Sequence, residues 1–130
     1  TSITIEYIKG KRIIDFLKTH DKPLNLIFKV LKQCRILDKL NIDKKEMTNP
    51  YKHIIVRNSK PVMIDFERAK FSLRPSNVTA FFSFLTSKKI TDILEKKNIK
   101  IRNEKLKDFL IKYKRSYSEK DYKNLLKEIK

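Results

Sequence analysis

With 130 residues, 40% of them hydrophobic, the chain has the size of one domain with a real core. No apolar stretch approaches the roughly 20 residues of a membrane span, no signal-peptide pattern opens the sequence, and the single cysteine excludes a disulfide framework. A net charge of +17, from 32 Lys and Arg against 15 Asp and Glu, attracts polyanions such as nucleic acid, nucleotide phosphates and acidic proteins. The same Lys richness also accompanies AT-rich genomes and thermophily, so charge alone does not select among these partners.

In chain order, Ile3 to Ile8 alternates apolar and polar residues and reads as a short strand ending at Lys9-Gly10. Arg12 to Thr19 reads as a short amphipathic helix with Ile13, Ile14, Phe16 and Leu17 inward. His20 follows in the break His20-Asp21-Lys22-Pro23, where no second metal-type residue stands at helical spacing, and reads as a loop residue. From Pro23 or Leu24 to Leu40 runs the clearest helical period, through Leu24, Ile27, Phe28, Leu31, Cys34, Leu37 and Leu40. On that apolar face Cys34 reads as a small buried hydrophobe, and a free thiol suits a reducing cytoplasm.

Two β-branched runs come next, Ile54-Ile55-Val56 and Val62-Met63-Ile64, joined by Arg57-Asn58-Ser59-Lys60-Pro61; they predict a β-hairpin. Glu46 lies in the loop before the first strand, and Asp65 stands directly after the second. Two carboxylates at the rim of a hairpin suit a divalent cation with a proton acceptor, or a plain polar rim. Asn77 to Thr86, capped by Ser76 or Asn77, carries Phe81, Phe82, Phe84 and Leu85; without interleaved Lys or Arg it reads as a core helix, not a base-stacking platform. Beyond it, Ile90, Ile93 and Leu94 predict one helix and Asn98 to Arg102 a turn. Leu106, Phe109, Leu110 and Tyr113 predict another helix, and Ser118 or Tyr122 to Ile129 a last one. Lys114-Arg115 with Tyr113 and Tyr117 is the best local polyanion patch, against the plainer reading of a solvated helix face.

Three stretches, in order and at plausible spacing, carry a family resemblance. Asn41-Ile42-Asp43-Lys44-Lys45-Glu46-Met47 resembles the G-I-x-H-R-D-L stretch of the protein-kinase catalytic loop, and Val62-Met63-Ile64-Asp65-Phe66-Glu67 resembles the strand ending in D-F-G. Glu6 to Leu17 resembles a kinase hinge followed by its first C-lobe helix. The loop is most similar to that of small archaeal predicted serine/threonine kinases related to the RIO and lipopolysaccharide-kinase types. Their E-x-x-x-P-x-K-H pattern is matched here by Glu46, Pro50, Lys52 and His53. The resemblance spans roughly Thr1 to Leu85.

What it implies is a mainly α (α+β) fold, a kinase-like C-lobe whose small antiparallel hairpin carries the active-site loops. Residues 1–10 would be the hinge-side strand and turn, 11–87 the catalytic core of the lobe, and 88–130 basic C-terminal helices. The chain opens at Thr1 without a Met and its only glycine is Gly10, so the N-lobe with its Gly-rich loop is expected elsewhere in the same gene product. The implied activity is transfer of the γ-phosphate of ATP, with Mg²⁺ or Mn²⁺, to a hydroxyl. Glu46 would accept the proton, Lys52 would meet the γ-phosphate, and Asp65 would hold the metal. The backbone of Glu6, Tyr7 and Ile8 would bind the adenine edge, with Ile64 beside the nucleotide. His53 takes the metal-binding Asn slot, although imidazole is a softer ligand for a hard cation.

Departures are equally plain. Glu46 is one methylene longer than Asp, Glu46 to His53 spans seven residues against five in the family, Lys44 replaces a structural His, and Glu67 replaces the D-F-G glycine. The short Arg68 to Ser76 segment has neither a long activation loop nor an A-P-E motif, as in RIO-type kinases. Two other readings follow from these departures: a catalytically weak kinase-like module binding RNA or an acidic partner through its basic surface, or an ATPase switch in RNA processing.

Overall fold

The computed structural model describes residues 10–45, 47, 50, 53–102 and 104–129. The expected strand Ile3 to Ile8 lies outside these. The first described strand, β1 (Lys11–Arg12), falls where the turn and the helix start were expected. Helix α1 (Ile13–Thr19) follows at once, and α2 spans Leu24–Lys39. Next come β2 (Ile42–Asp43), β3 (Ile54–Arg57), β4 (Lys60–Met63) and β5 (Lys70–Phe71). Four helices complete the chain: α3 (Asn77–Leu85), α4 (Lys88–Glu95), α5 (Leu106–Ser116) and α6 (Glu119–Leu126). The fold is α+β, with six helices and two small antiparallel sheets among the described residues.

The expected hairpin forms, with a tighter turn than the sequence suggested. β3 and β4 pair from Ile54↔Met63 to Arg57↔Lys60, so only Asn58 and Ser59 remain in the turn. Both have positive φ, 52° and 61°, the backbone of a two-residue hairpin turn that follows strand twist. Pro61, expected in the joint, sits in β4; the sheet order β1-β3-β4 makes β4 an edge strand, where a missing N–H costs no ladder bond. β1 flanks β3 on the other side, Lys11 opposite Val56. Gly10 is required there by space rather than by dihedral: a Cβ would come 2.5 Å from the Val56 carbonyl oxygen.

The core runs between α2 and α3, and gathers Ile13, Leu17, Ile27, Leu31, Cys34, Ile54, Phe81, Phe82 and Leu85. The aromatic run of α3 is buried as expected. The α2 stripe, however, drifts from the expected line. Leu40 is exposed and Leu37 only half-buried, while Arg35 and Asp38 lie inside the core. A 3.6-residue period that starts at Ile27 and Leu31 turns these two polar residues inward. Ile101 bridges to Ile129 and the Arg102 N–H bonds the Glu128 carbonyl at 2.9 Å, so the segment after α4 also clamps the C-terminal end of α6. No helix among the described residues is long and apolar enough to cross a membrane.

Candidate active site

The segment after β2 is held from behind by a buried polar network. Asp38 near the end of α2 accepts from the Asn77 backbone N–H (3.1 Å), the Asn77 side-chain amide (2.9 Å), the Val78 N–H (3.5 Å) and the Tyr113 hydroxyl (2.6 Å). Its carboxylate thus caps α3 from another helix, where the first amides and the helix dipole favour an anion. Ser76, one of the two caps expected from sequence, makes no such side-chain bond. Asn77 in turn donates to the Ile42 carbonyl (2.6 Å) and accepts from the Lys44 N–H (2.9 Å). Asp43 accepts from the Lys45 N–H at 2.9 Å and the Ser76 N–H at 3.2 Å, closing the turn after β2.

Burial pushes the Asp38 carboxyl up from its ordinary range, opposed by the hydrogen bonds from Tyr113, Asn77 and Val78. The Tyr113 phenol is raised by burial and by Asp38 beside it. Arg35 completes the network, donating to the Tyr113 hydroxyl at 3.2 Å and lying 3.7 Å from the Glu119 carboxylate.

On this base Lys44 reaches forward. Its side chain is 1% exposed, and Nζ donates to the Ile64 carbonyl (2.7 Å) and the Asp65 carbonyl (2.9 Å) while lying 4.6 Å from the Phe66 ring centroid. This lysine therefore ties the loop after β2 to the segment after β4, the structural role that the resemblance gives to the residue at its position. Phe66, at the position of the D-F-G phenylalanine in the resemblance, is half exposed and serves as a face for that ammonium.

Asp65 sits where β4 ends, with φ of 62°, in the left-handed region that costs most residues strain and that Asp tolerates better than most. The backbone is over-determined: the Ile64 N–H bonds the His53 carbonyl at 2.9 Å, and Lys44 binds both carbonyls that follow. The carboxylate itself is 53% exposed and faces His53, whose Nδ1 lies 3.9 Å from Oδ2. That distance is too long for a hydrogen bond and becomes an attraction when the imidazole is protonated. Glu67 and Arg68 form an exposed turn, closed by the Ala69 N–H on the Phe66 carbonyl at 3.0 Å.

Of the sequence-derived site residues, His53, Ile64 and Asp65 come together at the base of the hairpin. Glu46, Lys52, Glu6, Tyr7 and Ile8 lie outside the described residues. Among the described residues, no group of three His, Cys, Asp or Glu side chains could hold a metal ion. Asp65 alone suits a hard cation that keeps most of its waters, and the imidazole of His53 is better matched to the carboxylate than to magnesium.

The sequence reading missed Asp38, Asn77 and Arg35. The available signal was a carboxylate seven residues after Leu31, on the apolar face of α2. Of the suggested polyanion patch, the structure commits the two tyrosines elsewhere: Tyr113 is fully buried in the network, and the Tyr117 hydroxyl donates to the Pro75 carbonyl at 2.8 Å. No protein-family model matches the chain, and a search of curated proteins finds no match.

Proposed function

We propose that the chain is the C-terminal lobe of an atypical serine/threonine kinase-like phosphotransferase, acting on Mg-ATP and a hydroxyl acceptor. The observation that carries the reading is Lys44: a buried ammonium linking the loop that resembles a catalytic loop to the exposed, left-handed Asp65 that resembles the D-F-G aspartate. Lys44 is thereby tied to the backbone of Asp65, which supports the preorganisation that phosphoryl transfer needs more than it needs covalent chemistry.

In this reading Asp65 holds the divalent cation, which when bound neutralises charge developing on the phosphates. Glu46 accepts the proton of the attacking hydroxyl, and Lys52 lies against the transferred phosphate. His53 lies beside the Asp65 carboxylate, its Nδ1 3.9 Å from Oδ2. The reading also requires an N-lobe to supply the remaining nucleotide contacts.

The test is transfer of labelled phosphate by the complete gene product beside Glu46→Gln and Asp65→Asn. Both variants are expected to lose activity by about a hundredfold or more, the range of a general base or a metal-holding carboxylate. Nucleotide binding and transfer that are indifferent to Asp65→Asn would remove the basis of the assignment.

A further inference from the structure

A shallow cleft of about 310 Å³ lies away from Asp65, between the start of α3 and the outer face of α5. Its floor is aliphatic, formed by Leu110 and by Ile111, which is 42% exposed. Its rim carries Arg74, Lys107, Lys114 and Arg115, and among the described residues no acidic one lines it. Two of these cations are fixed in place. Lys114 Nζ donates to the Arg74 carbonyl (2.8 Å), the Pro75 carbonyl (3.2 Å) and Ser76 Oγ (2.8 Å), and Arg74 Nη2 returns a bond to the Lys114 carbonyl at 2.7 Å. None of these acceptors is a carboxylate. Two of the four cations are thus held by neutral acceptors, and the four together give the cleft a positive potential. The sequence extends the same imbalance: residues 68 to 91 contain five Lys or Arg and no Asp or Glu.

We infer that this cleft docks an acidic segment of a partner protein that inserts an aliphatic side chain between Leu110 and Ile111. Charge complementarity selects an acidic occupant. The floor distinguishes protein from nucleic acid, because sequence-tolerant strand binding stacks bases on exposed aromatic rings. Here the nearby rings are committed: Tyr113 is buried and the Tyr117 hydroxyl is bonded to Pro75. An aliphatic floor ringed by cations is the complement of an acidic peptide with a Leu-type anchor. This inference does not depend on phosphotransfer, and binding is read without nucleotide.

The experiment is fluorescence anisotropy of the full chain with a labelled Glu/Asp-rich peptide carrying a central Leu pair, the same peptide with Ser for Leu, and an oligouridylate of equal length. The Leu peptide is expected to bind and the Ser peptide to bind at least about fivefold more weakly. Neutralising the rim with Lys107→Gln and Arg115→Gln is expected to weaken the Leu peptide about tenfold, and Ile111→Ser about fivefold. All three positions are exposed, and thermal melts establish that each variant is folded. Absence of Leu-peptide binding up to about 1 mM would overturn the inference. So would Leu-peptide binding unchanged in every variant. Oligouridylate that binds more tightly, loses affinity with the rim and ignores Ile111→Ser would give the face to nucleic acid instead.

Discussion

Asp38 and Asp65 are two carboxylates of one small domain placed under opposite rules. Asp38 is buried and its oxygens are saturated by four donors from α3 and α5. Asp65 has an over-determined backbone and a carboxylate left half in water. A satisfied buried carboxylate can do little besides hold its donors, whereas an anchored backbone with open oxygens leaves them available to a ligand. Lys44 belongs to both regions, through its backbone N–H on Asn77 and its ammonium on Ile64 and Asp65. The buried network therefore helps to fix the backbone that carries Asp65.

The largest expected effect tests the first half of this contrast. Asp38→Ala strands the Tyr113 hydroxyl and the Asn77 and Val78 amides, and should lower stability by about 3–5 kcal/mol in urea unfolding. Asp38→Asn keeps an acceptor and the shape, and should cost visibly less. Equal losses would mean that the network is not organised around the carboxylate.

Alkaline unfolding probes the same region by another route. Burial foremost pushes the Tyr122 phenol from its ordinary value of 10.0 up to about 12, and Tyr122 packs 6.3 Å from the Tyr113 ring. The folded chain keeps this proton longer than the unfolded chain does, so stability is full below pH 10 and falls as pH rises from 10 toward 12. Two pH units correspond to about 2–3 kcal/mol for this residue. Tyr122→Phe should flatten that part of the stability–pH curve while leaving the neutral limb in place. A profile with an unchanged alkaline slope would show that Tyr122 ionises freely in the fold.

Lys44→Met tests whether the two regions are coupled. The substitution fills nearly the same volume but removes the donor for two carbonyls, and should cost about 1–3 kcal/mol. If the lysine links network and site, the loss should shrink when Asp65 is already replaced by Gly, because a freed backbone no longer needs the anchor. Strict additivity in that cycle would separate the regions and weaken the contrast.

What could be read from the sequence divides along the same line. The hairpin was legible because β-branched runs flank a polar joint, and α3 because four large apolar residues fall within five positions, Phe81 to Leu85. Asp65 stood out because it follows an apolar strand directly, and the structure places it just past the end of β4. Asp38 was not, because an acidic residue near the end of a helix reads as solvated unless its phase is followed from Ile27 through Leu31 and Cys34. Asn77 looked like a local cap, whereas its bonds run to Asp38, Ile42 and Lys44 across more than thirty residues of sequence. Pairings of that range are set by tertiary packing, which local periodicity does not encode.

The smallest expected effect has the opposite sign. At φ of 62°, Asp65→Gly relieves left-handed strain and gives up Asp's stiffer unfolded chain, a balance worth a gain of at most about 0.5–1 kcal/mol. Asp65→Ala keeps the strain and loses Asp's tolerance of it, so it should be destabilising by about 1 kcal/mol. If the carboxylate were there for the fold, through its charge contact with His53, both substitutions would lower the melting temperature. A Gly variant that melts at or above the parent temperature and no longer transfers phosphate would mark Asp65 as a residue kept at a cost to stability for what its oxygens bind. A Gly variant that melts below the parent would instead place Asp65 beside Asp38, as a second structural carboxylate.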